Sequence, residues 1–150
     1  MSNDSVNFLK QSLLKEVLVS PAITIFVDDP FSAVEAKLRF HKIRHLPVID
    51  RHNKLVGIVT QRDLYHTLAP RRTEDGDYYD KTALDSFVLK YIMTPNPLAL
   101  KPDDTVARII EIFATHKYGC IPIVKEDGAL LGIVTQVDIL KFIVRWLKTS

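Results

Sequence analysis

The chain repeats itself at a fixed spacing, and this duplication restricts the fold more than any other feature of the sequence. The run Leu-Val-Gly-Ile-Val-Thr-Gln-Arg-Asp-Leu at 55–64 matches Leu-Leu-Gly-Ile-Val-Thr-Gln-Val-Asp-Ile at 130–139. Pro47, within Leu-Pro-Val-Ile, matches Pro122, within Ile-Pro-Ile-Val, at the same offset of 75 positions. An ungapped register over this length indicates two copies of one structural unit.

Each copy has the hydrophobic pattern of a strand, a helix, two strands and a final helix. The first strands are predicted at 24–27 and 99–101, and the final helices begin at Gln61 and Gln136. One three-stranded sheet with two helices on one side cannot close a large core alone. The sequence therefore predicts an α/β (α+β) fold in which two β-α-β-β-α repeats pack sheet to sheet with pseudo-two-fold symmetry.

An acidic turn precedes the first helix of each copy. Asp29 and Asp104 are expected to cap these helices, because a carboxylate accepts hydrogen bonds from first-turn amides. Pro30 is expected at the first helical position, where its missing N–H costs nothing.

The duplication also sets the expected domain boundaries. The first copy and an amphipathic lead-in helix should occupy 8–69, and the second copy with its own lead-in helix should occupy 87–148. Between them, 70–86 is rich in charge and is predicted to be an exposed linker.

The bulk composition excludes several classes of protein. The formal charge of +2 is dispersed, so nothing indicates a nucleic-acid surface. A polar N-terminus and the lack of a ~20-residue apolar run predict a cytoplasmic protein without a membrane span. Cys120 is the single cysteine, expected to be buried and structural, and no His/Cys cluster has the spacing of a metal site.

The two motifs of each copy resemble those of the CBS domain family, and the tandem pair resembles a Bateman module. The motifs are h-P-h-h, at 46–49 and 121–124, and G-h-h-T-x-x-D, at 57–63 and 132–138, where h is an apolar residue. Met-Thr-Pro at 93–95 matches the family's usual lead-in. The resemblance covers about residues 10–147.

The resemblance implies a regulatory role. Such pairs bind AMP, ADP, ATP, S-adenosylmethionine or NAD in clefts between the copies, and they usually form homodimers. No effector domain fits within 150 residues, so a stand-alone module is expected. It would need no cofactor, with an adenine nucleotide as its regulatory ligand and an unidentified effector protein as a further partner.

Thr60 and Asp63, like Thr135 and Asp138, have two compatible interpretations. Thr-x-x-Asp at a strand-to-helix junction is typical of a capping box. The same helix N-terminus offers amides to a phosphate, and a carboxylate can accept both hydroxyls of a ribose. The resemblance implies that the Thr faces phosphate and the Asp holds ribose.

Arg44 and His45 lie just before Pro47. Such residues are often simply solvated, but in the family these positions frequently contact phosphate, and the planar fork of Arg suits that task. Arg62, inside the Thr-x-x-Asp motif, is a further candidate for nucleotide binding.

The second copy has Gly119 and Cys120 where the first has the basic pair. The two clefts therefore cannot be chemically equivalent. We expect one competent phosphate-binding cleft at Asp63, whereas the Asp138 cleft is expected to be empty, weak or suited to an uncharged nucleoside.

The resemblance also implies which residues form the adenine pocket beside Asp63. They come from the lead-in and first strand turn of the second copy: Thr94, Pro95, Asn96, Tyr118, Gly119 and Cys120. Tyr118 either stacks on the base or packs against the protein. Ile58 and Ile133 are expected to line the pockets.

Two further hypotheses remain beside the nucleotide sensor. One is a structural dimerisation module with vestigial clefts, for which the weak second cleft is the best support. The other is an enzyme, but no nucleophile elbow, phosphate-binding Gly-rich loop or zinc-protease motif is present. The last helix is unusually apolar, and its apolar residues belong either to the core or to a subunit interface: Ile139, Leu140, Phe142, Ile143, Trp146 and Leu147.

Overall fold

A computed structural model describes residues 3–149, which divide into two compact units. The repeat 1 unit comprises residues 23–97. The repeat 2 unit comprises residues 3–22 and 98–149. The units therefore do not follow the chain in simple order, because the N-terminal segment joins the second copy of the repeat.

The repeat 1 unit is built around a four-stranded sheet of order β1-β2-β3-β6. β1 runs parallel to β2, and the other two pairings are antiparallel. Its elements are β1 (Ile25–Phe26), α2 (Phe31–His41), β2 (His45–Ile49), β3 (Leu55–Thr60), α3 (Gln61–Thr67), β4 (Arg71–Thr73), β5 (Gly76–Tyr78), α4 (Lys81–Leu84), α5 (Leu89–Ile92) and β6 (Thr94–Pro95).

The repeat 2 unit has the same plan with a smaller sheet. Its β7–β8 hairpin is flanked by single bridges, Leu100 to Ile123 and Val19 to Ile133, at the places that β1 and β6 take in repeat 1. Its elements are α1 (Asn3–Gln11), a 3₁₀ turn (Leu14–Glu16), α6 (Val106–Thr115), β7 (Cys120–Val124), β8 (Leu130–Thr135) and α7 (Gln136–Thr149).

The predicted boundaries differ from the structure in the lead-in segments. α1 packs against α6, and Val19 pairs with β8, so the segment before the first copy belongs to the repeat 2 unit. Likewise β6, which precedes the second copy, pairs with β3 of the first. Each lead-in crosses to the other copy because the outer edges of β3 and β8 have backbone N–H and C=O groups that need partners.

Each unit has its own apolar core. In repeat 1, Phe31, Val34 and Leu38 of α2 pack against the buried faces of β2 and β3. In repeat 2, Val106 and Ile109 of α6 pack against β7 and β8 in the same way. Each of the two helices thus turns an apolar stripe toward the core of its own unit.

The acidic residues before these helices act differently from the prediction. The Asp29 carboxylate accepts from the Phe26 amide at 2.9 Å, and Asp104 accepts from the Lys101 amide at 2.8 Å. Each closes the turn behind it rather than capping the helix ahead. Thr105 caps α6, and Pro30 is the N-cap of α2 instead of its first helical residue.

The charged segment 70–86 is only partly a free linker. The β4–β5 hairpin is exposed along its whole length, as predicted. Leu84, however, is 1% exposed in the repeat 1 core, and the Asp85 carboxylate accepts from the Ser32 amide at 2.9 Å. Along residues 3–149, none of the helices combines the length and apolar character that crossing a membrane requires.

Candidate functional site

The Thr-x-x-Asp motif of repeat 1 forms a complete capping box at the start of α3. The Asp63 amide donates to Thr60 Oγ1 at 3.2 Å, and the Thr60 amide donates to Asp63 Oδ2 at 2.9 Å. The predicted cap is therefore confirmed. The reciprocal bonds fix both side chains while using only one carboxylate oxygen, so Asp63 Oδ1 is left for another donor.

The matching motif of repeat 2 is held in the same way, with one more bond. The Thr135 amide donates to Asp138 Oδ2 at 2.8 Å, and the Asp138 amide donates to Thr135 Oγ1 at 3.2 Å. The Thr135 hydroxyl also donates to Asp138 Oδ2 at 2.9 Å. This last bond occupies the only proton that the Thr135 hydroxyl can donate.

Arg44 and His45 sit directly beside the repeat 1 cap. The Gln61 amide, at the first position of α3, donates to the Arg44 carbonyl at 2.9 Å, which fixes the backbone and leaves the guanidinium exposed. His45 is paired with Thr60 across β2 and β3. Opposite residues of an antiparallel pair share one face of the sheet. The imidazole therefore lies on the same face as the Thr60 hydroxyl.

His45 is half-buried in this position. Burial and, after it, the positive charge of Arg44 lower the pKa of His45, whereas the carboxylate of Asp63 acts in the opposite direction. The imidazole is thus held neutral at pH 7, beside one cation and one anion.

Gly119 and Cys120 take the equivalent position beside the repeat 2 cap. Cys120 is paired with Thr135, as His45 is with Thr60, but it is 5% exposed. Burial, with a smaller contribution from Asp138, raises the pKa of this thiol to about 12. The prediction of a buried structural cysteine is confirmed, and at this position repeat 2 offers no positive charge.

Tyr118 lies beside the start of α7. The side-chain amide of Gln136 donates to the Tyr118 carbonyl at 3.0 Å, and Tyr118 is 39% exposed. A phenol ring that is this accessible is free to stack on a flat ligand, although the His116 ring lies 5.7 Å away, centroid to centroid.

The glycine that both motifs share has a structural role. A Cβ placed on Gly57 would meet the Met93 side chain and, at 3.0 Å, the Thr94 carbonyl oxygen. A Cβ on Gly132 would collide with the Val19 carbonyl. Glycine is therefore required where each lead-in approaches the sheet. The signal was present, since both copies have Gly at this position.

Two more of the predicted residues, Pro95 and Asn96, lie at β6, which pairs with β3. Pro95 is opposite Gly57, and the Asn96 amide donates to the Val56 carbonyl at 3.2 Å. Asn96 has a φ of 45°, in the left-handed region that Asn tolerates. The structure thus brings both residues to the edge of β3, which is the strand that ends at Thr60.

The family profile of the CBS domain matches residues 14–70 and 89–145. The chain belongs to the CBS domain family. The two matches coincide with the two copies of the repeat, so the molecule is a CBS pair.

Relatives of this CBS pair include parts of much longer enzymes. An inosine-5′-monophosphate dehydrogenase of Korarchaeum cryptofilum is 34% identical over 81% of this chain and 22% of its own length. An L-aspartate semialdehyde sulfurtransferase of Methanocaldococcus jannaschii is 30% identical over 85% of this chain and 22% of its own. The chain thus spans about a fifth of the length of these relatives. A CBS domain-containing protein of Dictyostelium discoideum is 28% identical over 91% of this chain and 94% of its own.

Solved CBS pairs share the fold. One in complex with 5′-methylthioadenosine and S-adenosyl-L-methionine has a TM-score of 0.72 at 28% identity, covering 88% of this chain and 95% of that one. The CBS-pair protein of Arabidopsis thaliana has a TM-score of 0.77 at 21% identity, covering 93% and 99%, which is a likeness of fold alone. The predicted α/β (α+β) fold with two CBS repeats is confirmed.

Within the CBS pair, the predicted site residues form two groups, one in each unit. The repeat 1 group lies around the start of α3 and the edge of β3: Arg44, His45, Ile58, Thr60, Arg62, Asp63, Pro95 and Asn96. The repeat 2 group lies around the start of α7: Tyr118, Gly119, Cys120, Thr135 and Asp138. The prediction that Tyr118 and its neighbours serve the ligand of Asp63 stays a prediction.

Proposed function

We propose that this CBS pair is a regulatory module that binds an adenine nucleotide through the repeat 1 group. Binding changes the conformation of its own dimer or of a partner protein. One observation carries the proposal: the same Thr/Asp cap is built twice, and only the copy in repeat 1 has a basic pair, Arg44 and His45, beside it. A ligand can transmit a signal only if it binds one conformation more tightly than another.

The Asp63 carboxylate supplies the ribose contact in this proposal. Its Oδ2 is held by the Thr60 amide at 2.9 Å, so the carboxylate is oriented before any ligand arrives. Its Oδ1 then accepts from the two neighbouring hydroxyls of a ribose. Hydrogen bonds to a charged acceptor of this kind contribute about 1.5–3 kcal/mol each.

Arg44, His45 and Thr60 supply the phosphate contacts. The Arg44 side chain is exposed, and its backbone carbonyl is fixed by the first amide of α3. A guanidinium pairs with two phosphate oxygens at once. The Thr60 hydroxyl accepts from Asp63 and keeps its own proton for a phosphate oxygen.

For the repeat 2 group we propose either no ligand or an adenosyl ligand without phosphate. Asp138 is held as Asp63 is, but Gly119 and Cys120 provide no cation and the Thr135 hydroxyl already donates to Asp138. The CBS pair that is 28% identical was solved with 5′-methylthioadenosine and S-adenosyl-L-methionine. Both compounds contain adenosine and lack phosphate, which supports this choice of ligand class.

A thermal-shift panel tests the proposal, with AMP, ADP, ATP, S-adenosylmethionine and NAD as separate additions. A ligand at 100 times its dissociation constant stabilises the folded state by about 2.7 kcal/mol. We expect stabilisation by at least one phosphorylated compound, and a smaller stabilisation by the same compound in Arg44→Ala. If none of the five shifts the transition, the nucleotide proposal is wrong and a structural dimerisation module becomes the better account.

We also propose a homodimer that uses the outer face of α7. The opposite side of this helix packs into the repeat 2 core through Ile139, Phe142 and Ile143. Four other apolar residues recur at spacings of three and four and are 47–62% exposed: Val137, Leu140, Val144 and Leu147. Exposed apolar stripes of this kind mark protein interfaces. Light scattering should report a dimer for the natural chain and a monomer for Leu140→Glu, with the adjacent exposed Lys141→Glu as the control.

A further inference from the structure

His45 is the residue of the repeat 1 group whose ordinary pKa, 6.5, lies closest to neutral pH. Arginine and aspartate side chains are in general charged near neutral pH, whereas an imidazole can change its charge there. The position beside the cap therefore combines a fixed cation, a fixed anion and one group that can change its charge.

The surroundings of His45 keep this group isolated. β1 and β3, the strands on either side of β2, contain no ionisable side chain, and α2 faces β2 through Phe31, Val34 and Leu38. The charged groups that act on the imidazole are Arg44, from the turn before β2, and Asp63, from α3. A negative charge brought to this face would therefore act on the protonation of His45 together with Arg44 and Asp63.

We infer that the binding of a phosphate at the repeat 1 group is coupled to the uptake of one proton by His45, so that the CBS pair responds to nucleotide and pH together. This inference rests on the proposed function, and it adds a property of that site. The proton comes from the buffer and protonates the free imidazole nitrogen. The resulting imidazolium donates to a phosphate oxygen, and no covalent bond is formed or broken.

The direction of the effect follows from the charges. In the free protein, burial and the Arg44 cation lower the pKa of His45, so the imidazole is neutral at pH 7. A phosphate dianion beside it favours the charged form and raises the pKa in the complex. Nucleotide binding should therefore tighten as the pH falls between the bound and the free pKa values. For one coupled proton the limit is about tenfold in affinity per pH unit.

Calorimetric titration in buffers of different ionisation enthalpy measures this proton directly. AMP and adenosine should be titrated at pH 7 into the natural protein, His45→Gln and His52→Gln. His52 is the matched control, because it is an exposed histidine in the turn at the far end of β2. The AMP phosphate itself titrates near pH 6, so the quantity of interest is the difference between the natural protein and His45→Gln.

We expect AMP to take up protons, adenosine to take up none, and His45→Gln to lose at least half of the uptake that His52→Gln retains. Equal uptake in all three proteins would overturn the inference and leave the proposed function intact. Failure of AMP and every other phosphorylated ligand to bind would overturn both.

If His45→Gln does not fold, the natural protein provides a second measurement. The imidazole resonance of His45, assigned through its own backbone, can be titrated by NMR with and without AMP. A pKa that rises on addition of AMP supports the inference, and an unchanged pKa overturns it.

Discussion

The repeat 1 and repeat 2 groups have the same scaffold and different chemistry. In both, a strand ends in Thr, a helix begins with Thr-x-x-Asp, and the two side chains cap each other. In both, the residue paired with that Thr on the neighbouring strand shares its face of the sheet, but it is a half-buried His45 in one and a buried Cys120 in the other. The two groups thus share the residues that cap the helix, and they differ at the residues that we propose contact a phosphate.

The largest expected effect is on nucleotide affinity when the caps are removed. Asp63→Ala and Asp138→Ala each remove the carboxylate half of a capping box and leave the Thr as N-cap, so both should lower the free energy of unfolding by about 0.5–1.5 kcal/mol. Only Asp63→Ala should also weaken AMP binding, by about tenfold to a hundredfold, since it removes a charged hydrogen-bond acceptor. Calorimetry well below the unfolding temperature separates the two effects, and equal losses of affinity would refute the asymmetry.

Substitution of the two motif glycines should affect stability unequally, with the larger loss in repeat 2. Gly132→Ala places its Cβ against the backbone carbonyl of Val19, which cannot move without the lead-in, whereas Gly57→Ala meets first the flexible side chain of Met93. We expect Gly132→Ala to cost about 1–3 kcal/mol of stability, as overpacked sites do, and Gly57→Ala to cost less. Chemical denaturation of both variants measures this, and a larger loss in Gly57→Ala would contradict it.

Moving the cation between repeats should move the phosphate preference. Arg44→Ala should weaken AMP about tenfold, because an ionic hydrogen bond is lost, without changing adenosine binding. Gly119→Arg, at the equivalent position, should add a second AMP site. Gly119 is exposed and its backbone does not have a positive φ, so a side chain is tolerated there. Titration of both ligands into both variants decides this prediction.

The smallest expected effect is on the pH dependence of stability in the absence of ligand. The pKa of His45 is lowered in the folded protein, so the unfolded chain binds more protons once the pH falls to the ordinary value of 6.5. Stability should therefore fall as the pH drops below about 7. His45→Gln should flatten this part of the profile in thermal unfolding between pH 7.5 and 5.5.

The elements and the caps were predictable from the sequence because their signals are local. The hydrophobic patterns of the strands and helices and the Thr-x-x-Asp motifs each depend on a few neighbouring residues, and both are found as predicted. Asp29 and Asp104 were assigned to the wrong turn, because an Asp before a helix can accept from amides on either side, and the sequence does not distinguish them.

The crossing of the lead-ins was not predictable, since it depends on contacts between distant segments. Nothing near Val19 in the sequence indicates that it pairs with Ile133, more than a hundred residues away. The same applies to the grouping of the site residues. The identity of Tyr118, Gly119 and Cys120 is local information, but their association with Thr135 and Asp138 follows from the β7–β8 register.

The stoichiometry of AMP binding tests the central claim most directly. Titration of AMP into the natural protein at pH 7, with the protein concentration well above the dissociation constant, counts the competent sites for each chain. The asymmetry between Arg44–His45 and Gly119–Cys120 predicts one AMP per chain, abolished by Arg44→Ala with Asp63→Ala. Two equivalent sites, or a single site that survives both substitutions, would contradict the account.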